Sequence, residues 1–201
     1  MVQSTLASEV SILPCVAPEI VASLAFSPSL QAFRPAEHQQ KALVQVAGMP
    51  GSCVSLAVCQ QVVGYSSIRL AEAGERWRVA GEWIYELGAI EVAPDFRKRH
   101  LASRLLGASF AGGKFEELVV IARIYVWHFD LANTGLLPHQ YRQLLLNLYR
   151  KFGFIPLATD DPEIMRSSEN LFMARIGSRL SQERIEEFYR ILFVEDSHAS
   201  A

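Results

Sequence analysis

The chain has 201 residues, half of them hydrophobic and 20% charged, and a formal net charge of -2 at neutral pH. That length and apolar share predict one domain spanning the chain with a sizeable core. The near-balanced charge, with no like-charge run longer than Arg97-Lys98-Arg99, excludes a general nucleic-acid binder and confines any positive patch to that spot.

No apolar run approaches the roughly 20 residues of a membrane span, and the N-terminus lacks a basic region followed by an apolar core. A cytoplasmic protein without a membrane partner is therefore expected. Cys15, Cys53 and Cys59 are odd in number, with no CxxC pair and no His at metal spacing. They predict reduced, buried thiols, neither a disulfide framework nor a metal site.

Taken in order, residues 1–8 lack periodicity and are expected to be a loose tail, as are 195–201. Val10, Ile12 and Leu13 predict a first strand closed by Pro14. A short apolar helix follows over 18–24, a loop over 28–35, and a second helix over 36–46 that begins just after Pro35 and stops at Gly48-Met49-Pro50-Gly51. The β-rich runs 52–59 and 62–70, split by Gln60-Gln61, predict a hairpin, although neither Gln brings the usual positive-φ turn chemistry. Stretch 71–82, with Glu72, Glu75, Arg76, Trp77 and Arg78, is too polar for a core element and predicts a connection or an inserted helical turn.

The segment from Tyr85 to Phe110 organises the rest. A mostly apolar strand runs to Val92, Pro94 stops its pairing, a basic loop follows, and Leu101, Leu105, Leu106, Ser109 and Phe110 recur at helical spacing. Unpaired N–H groups of that helix's first turn, its dipole, and three or four cationic side chains from Arg97, Lys98, Arg99 and His100 together make a phosphate-binding layout.

Beyond it, 118–127 (LVVIARIYVW) predicts another buried strand, and Pro138 opens a helix. There Tyr141, Leu144, Leu145, Leu148, Tyr149 and Phe152 form the strongest amphipathic face in the chain, ended by Gly153. A strand over 154–157, an acidic turn holding Asp160, Asp161 and Glu163, a strand over 171–176 and a helix capped by Ser181 complete the chain. This order predicts an α/β or α+β fold, a mixed sheet with helices on its faces.

Residues 92–102, Val-Ala-Pro-Asp-Phe-Arg-Lys-Arg-His-Leu-Ala, resemble the acetyl-CoA-binding motif of the GNAT acetyltransferase superfamily: Arg or Gln, two residues, Gly, one residue, Gly or Ala. Residues 148–154, Leu-Tyr-Arg-Lys-Phe-Gly-Phe, resemble that superfamily's second motif, a helix end followed by Gly-Phe. Segments 32–35, 86–92, 125–130, 134–136, 158–164 and 173–177 are similar to the acetoin-utilization acetyltransferases. In that family a GNAT enzyme acetylates a lysine of acetyl-CoA synthetase and switches it off. The chain departs from the pattern at His100, where the family has glycine, carries the bulky Lys98 at one of the two unspecified positions, and keeps Ala102 at the tolerated last position.

The resemblance implies a GNAT fold: a mixed, mostly antiparallel central sheet, with a cofactor cleft between two central parallel strands. It implies acetyl-CoA as co-substrate without a metal, and acetyl-CoA synthetase as protein partner. The cofactor would be held by Ile90, Val92, Arg97, Lys98, Arg99, His100, Leu101, Ala102 and Ser103. The Ile90 N–H would polarise the thioester carbonyl, and the strand edge at Val92 would pair with pantetheine.

Lysine must lose a proton before it attacks. With a free pKa of about 10.4, that asks for about 3.4 units, or on the order of 4.6 kcal/mol, at neutral pH. Glu86, where many GNAT enzymes carry a general base, is the candidate; its alternative reading is a structural pair with Arg76 or Arg78. Glu91 lies on the opposite strand face by period two and is expected in a structural ion pair. Tyr149 matches the residue that protonates the departing thiolate in many GNAT enzymes, and is otherwise a core aromatic. Asp160, Asp161 and Glu163 are candidates to attract a substrate ammonium, or else a solvated turn, and either Asp could take the place of Glu86 as base. His128 and Asp130 share one side of a strand, and the histidine is expected to be a satisfied core or rim residue. Two other functions fit the same residues: acetylation of a small-molecule amine, and non-catalytic inhibition of the synthetase by binding.

Overall fold

The computed structural model describes residues 9–193, so the two expected tails lie outside the described residues. Its strands are β1 (Ser11–Leu13), β2 (Cys53–Cys59), β3 (Gln61–Leu70), β4 (Ile84–Val92), β5 (Val119–Ile124), β6 (Ile155–Pro156) and β7 (Leu171–Ile176). The helices are α1 (Pro18–Ser23), α2 (Ala36–Ala47), α3 (Arg76–Val79), α4 (Leu101–Phe110), α5 (Leu131–Thr134), α6 (Pro138–Arg150), α7 (Pro162–Met165) and α8 (Gln182–Ile191). The strands are hydrogen-bonded in the order β1-β2-β3-β4-β5-β7-β6. β1–β2, β5–β7 and β6–β7 are antiparallel, and β4 and β5 are parallel, so the sheet is mixed as expected. The described residues form two compact units, 9–67 with 89–109 and 68–88 with 110–193, and β3 and β4 each contribute residues to both.

In the first unit, Val21, Leu30, Leu43, Leu56, Val63 and Tyr65 are buried in one apolar cluster that also takes Leu101 and Leu105 from α4. Pro18 starts α1 with its φ already helical. Gly48 closes α2, its N–H donating to Val44 and Gln45 carbonyls. The Gln40 side chain donates to the carbonyls of Val21, Ala22 and Leu24, tying α2 to the end of α1. The β2–β3 turn is tight because Gln60 takes a positive φ of 62°, a conformation its residue type did not announce.

The cysteine expectation is corrected here: Cys15 and Cys53 form a disulfide. β1 pairs with β2 up to Leu13↔Leu56, and the Val16 N–H continues to the Val54 carbonyl, which leaves Cys15 and Cys53 with Cα atoms 4.5 Å apart. Thirty-eight residues of sequence separation hid that proximity. Beside it a buried hydroxyl chain, Ser55–Ser109–Ser66 at 2.8 and 2.9 Å, fastens α4 to β2 and β3.

In the second unit, stretch 71–82 proves to supply core after all. α3 inserts Trp77, 1% exposed, which stacks on Phe172 at 4.9 Å and lies beside Phe188. One aromatic among several charged residues was enough to bury the turn. The 118–127 strand also needs correction. β5 stops at Ile124, and a 3-10 turn over Val126–His128 follows, so His128 and Asp130 do not share a strand face. Asp130 instead caps α5 by accepting the Asn133 N–H.

The inward face of α6 is rotated from its expected position. Leu146 and Tyr149 are its buried residues, whereas Leu144 is 46% exposed. Arg142 lies on the face that holds Leu146 and Tyr149, and that charge hides the face from apolar periodicity.

Glu116, just before β5, anchors the end of β7. It accepts the Ser178 N–H at 2.9 Å and hydroxyl at 2.7 Å and pairs with Arg175. These bonds, the Ser178 backbone first, hold its carboxyl down to about 2. The folded value lies below the ordinary one of 4.5. Its contribution to stability is therefore complete above about pH 4.5 and is lost as pH falls toward 2. Glu116→Gln is expected to unfold more easily than wild type at neutral pH, with the difference closing between pH 4.5 and 2, measured by urea denaturation at each pH.

Candidate active site

Glu86 lies on β4 and is only 7% exposed. β4 pairs with β5 through Glu86↔Ile121, so Arg123, two residues further along β5, projects from the same sheet face. Arg123 Nε donates to Glu86 Oε1 at 2.9 Å, and Arg69 Nη2, at the end of β3, donates to Oε2 at 3.3 Å. The same Arg123 meets both Glu75 oxygens at 2.9 and 3.0 Å, and Arg69 meets Glu72 at 2.6 Å. The partners expected for Glu86, Arg76 and Arg78, instead bind Asp160 and Glu82. Burial alone would lower the Arg123 pKa, but the hydrogen bond and charge of Glu86 raise it on balance, so it stays cationic. A carboxylate oxygen offers two lone pairs, and each Glu86 oxygen keeps acceptor capacity beyond its one arginine donor.

The arginines are the site residues that sequence reasoning missed. Their signal was present: Arg123 is a lone cation inside an otherwise apolar strand, and a buried cation demands a carboxylate.

Five residues on, Glu91 is also buried but is not held by the expected ion pair. The Tyr65 hydroxyl donates to it at 2.6 Å and the Ala32 N–H at 2.8 Å. Burial first, then the Glu91 charge, push the Tyr65 pKa up, so this phenol stays protonated.

The basic loop follows β4. The Ala93 N–H donates to the Val63 carbonyl at 2.9 Å, and Pro94–Phe96 make one 3-10 turn. Arg97 Nε donates to the Val92 carbonyl at 3.2 Å, and the Arg99 guanidinium lies 5.1 Å over the Phe96 ring. Lys98, Arg99 and His100 are exposed, Leu101 is buried, and Ile90, Val92, Ala102 and Ser103 are half-buried. The Arg104 N–H donates to the His100 carbonyl, so α4 begins there.

Lys98 and His100 have φ of 61° and 57°. His100 stands where the GNAT pattern has glycine and Lys98 at one of its two unspecified positions, and both adopt the left-handed backbone that glycine favours. The loop therefore keeps a glycine-like path with side chains present, at a cost of roughly 1 kcal/mol per residue.

Tyr149 is 5% exposed, its ring 5.6 Å from Phe154. Burial, then the nearby Tyr141, raise its pKa, so its hydroxyl holds a proton through neutral pH. The acidic turn is committed to local structure more than the sequence implied. Asp160 pairs with Arg76, Asp161 caps α7 by accepting the Glu163 and Ile164 N–H groups, and Glu163 pairs with Arg166 at 2.9 Å. Burial lowers the His128 pKa.

His100→Gly is expected to raise stability by about 0.5–1 kcal/mol, because relief of the left-handed strain outweighs the entropy of the more flexible glycine. Chemical denaturation measures it, and an unchanged or lower midpoint contradicts the strain assigned to this loop.

No protein-family model matches the sequence. The chain is 38% identical over 180 residues to the acetoin utilization protein AcuA of Bacillus licheniformis and to that of Bacillus subtilis, covering 89% of this chain and 86% of each relative. The crystal structure of an acetoin utilization protein from Exiguobacterium sibiricum superposes with a TM-score of 0.88 at 32% identity, over 92% of this chain and 88% of that one. A GNAT superfamily phosphinothricin acetyltransferase from Sinorhizobium meliloti, solved in complex with AcCoA, shares the fold at a TM-score of 0.56 and 16% identity, over 86% of this chain and 90% of that one. The chain belongs to the acetoin utilization protein AcuA family and has the GNAT fold.

Proposed function

We propose that this protein is an acetyltransferase that moves the acetyl group of acetyl-CoA to a lysine of acetyl-CoA synthetase and so inactivates it. The observation that carries the cofactor half is the 97–100 loop: exposed cations and two glycine-like backbone positions leading directly into the first turn of α4. First-turn N–H groups and the helix dipole favour a pyrophosphate there, with Arg97, Lys98, Arg99, His100, Leu101, Ala102 and Ser103 around it. The acceptor half rests on the likeness to two acetoin utilization proteins over nearly nine-tenths of the chain.

Acetyl-CoA supplies an activated thioester. Glu86 accepts the proton that the lysine ammonium must lose, directly or through one water, and Arg69 and Arg123 hold its carboxylate at a fixed angle. The Ile90 N–H, on the same strand, donates to the thioester carbonyl oxygen as charge develops on it, and the β4 edge at Val92 pairs with the pantetheine amides. Tyr149, protonated at neutral pH, donates to the sulfur as the carbon–sulfur bond breaks.

Incubation of the protein with acetyl-CoA and the synthetase from the same organism, followed by peptide mass spectrometry, is expected to find acetyl-lysine together with loss of synthetase activity. Glu86→Gln is expected to lower kcat by on the order of 100-fold or more while leaving acetyl-CoA affinity unchanged. Acetylation no higher than in that variant would falsify the reading.

A further inference from the structure

The second unit holds an open pocket of about 540 Å³ between the α6 side and the segment that leads from β6 through α7 to β7. That volume is in the range of small-ligand sites. Leu157, Ile164, Leu171 and Phe172 line it with apolar surface, Ser167 and Ser168 add hydroxyls, and Arg142 brings the charge. No Asp or Glu is among the described residues that line it.

Arg142 is unusual in this unit. Arg69, Arg76, Arg123 and Arg175 are comparably withdrawn from water, and each meets a carboxylate. Arg142 is half-buried, and its Nε is shut off from solvent with no hydrogen-bond partner among the described residues. A partly desolvated guanidinium without a counter-charge is costly, and a buried unsatisfied donor adds to that cost. Its position is not accidental to the fold, because Arg142 precedes the buried Leu146 and Tyr149 by four and seven residues and so shares the inward face of α6.

We infer that this pocket is a binding site for a carboxylate carried on an apolar stem. The planar guanidinium matches a carboxylate in shape and charge. A single cation in the lining matches the charge of a monoanion, whereas a phosphate dianion would leave one negative charge unbalanced. The apolar walls would bury four or more carbons of the stem. The site is independent of the lysine reading above, since it concerns ligand binding and not acetyl transfer. Two sources can present the same chemistry, a free fatty or aromatic acid and a glutamate side chain flanked by apolar residues on a polypeptide.

The test is a titration of the full chain, followed by amide chemical shifts, with hexanoate, with hexanamide, and with the capped peptide acetyl-Leu-Glu-Leu-amide. Saturable shifts at residue 142 and across 157–172 are expected with hexanoate or the peptide, and which of the two binds tells the source. Hexanamide should bind at least about tenfold more weakly, as should hexanoate to Arg142→Met, while Arg142→Lys keeps the charge and loses less. Thermal unfolding checks that the variants are folded; if Arg142→Met is not, the hexanamide comparison and Arg142→Lys decide. The proposal is overturned if neither carboxylate saturates by about 50 mM. It is equally overturned if hexanamide binds as well as hexanoate, if folded Arg142→Met binds as well as wild type, or if the shifts map elsewhere.

Discussion

A carboxylate buried on a central strand is the constraint around which the second unit is arranged. Glu86 is only 7% exposed, and a carboxyl group withdrawn from water needs polar or charged partners. Arg123 from β5 and Arg69 from β3 are those partners, one to each oxygen. Arg123 is in turn shared with Glu75, the residue that precedes α3, and α3 drives Trp77 into the core against Phe172. Charge balance and apolar packing thus fix the same short helix through two residues near its start. Removing one partner of such a buried set leaves an uncompensated charge, with a penalty of about 3–5 kcal/mol. The acidic turn is tied down similarly: Asp160 meets Arg76, and the Thr159 hydroxyl donates to the Leu192 carbonyl at 2.6 Å.

In the first unit the comparable constraint is backbone conformation. The loop after β4 must reverse direction and deliver the start of α4, and it does so through left-handed φ at Lys98 and His100. A family pattern written in glycines describes that conformation, not a chemical need for glycine. A chain that accepts about 1 kcal/mol of strain at each position can follow the same path and place a lysine and a histidine beside it. The surroundings over-determine the path: Ala93 is pinned to Val63, Arg97 to the Val92 carbonyl, and Leu101 and Leu105 are locked in the core.

The two carboxylates of β4 show how one strand separates roles. Glu86 faces two arginines, whereas Glu91, on the other face, is held by a phenol and a backbone amide. Only Glu86 has cationic partners that are themselves balanced by further carboxylates, Glu72 and Glu75. That arrangement fixes its position while leaving acceptor capacity on both oxygens.

The sequence by itself determined the order and type of most elements, because apolar periodicity, Pro18 and Pro138 at helix starts, Ser181 as a cap and Gly153 as a stop act over a few residues. It also determined the family resemblance through the 92–102 and 148–154 motifs, which are local strings. Tertiary structure decided whatever depends on residues far apart in the chain. The Cys15–Cys53 disulfide follows from the β1–β2 register, and the Glu86 partners follow from parallel pairing with β5, which chose Arg123 over the sequence-near Arg76 and Arg78. The face of α6 was settled by what it packs on, since apolar periodicity favoured the stripe through Leu144, which is exposed. Local signals specify a segment's conformation, but burial and charge pairing are properties of what the fold brings beside it.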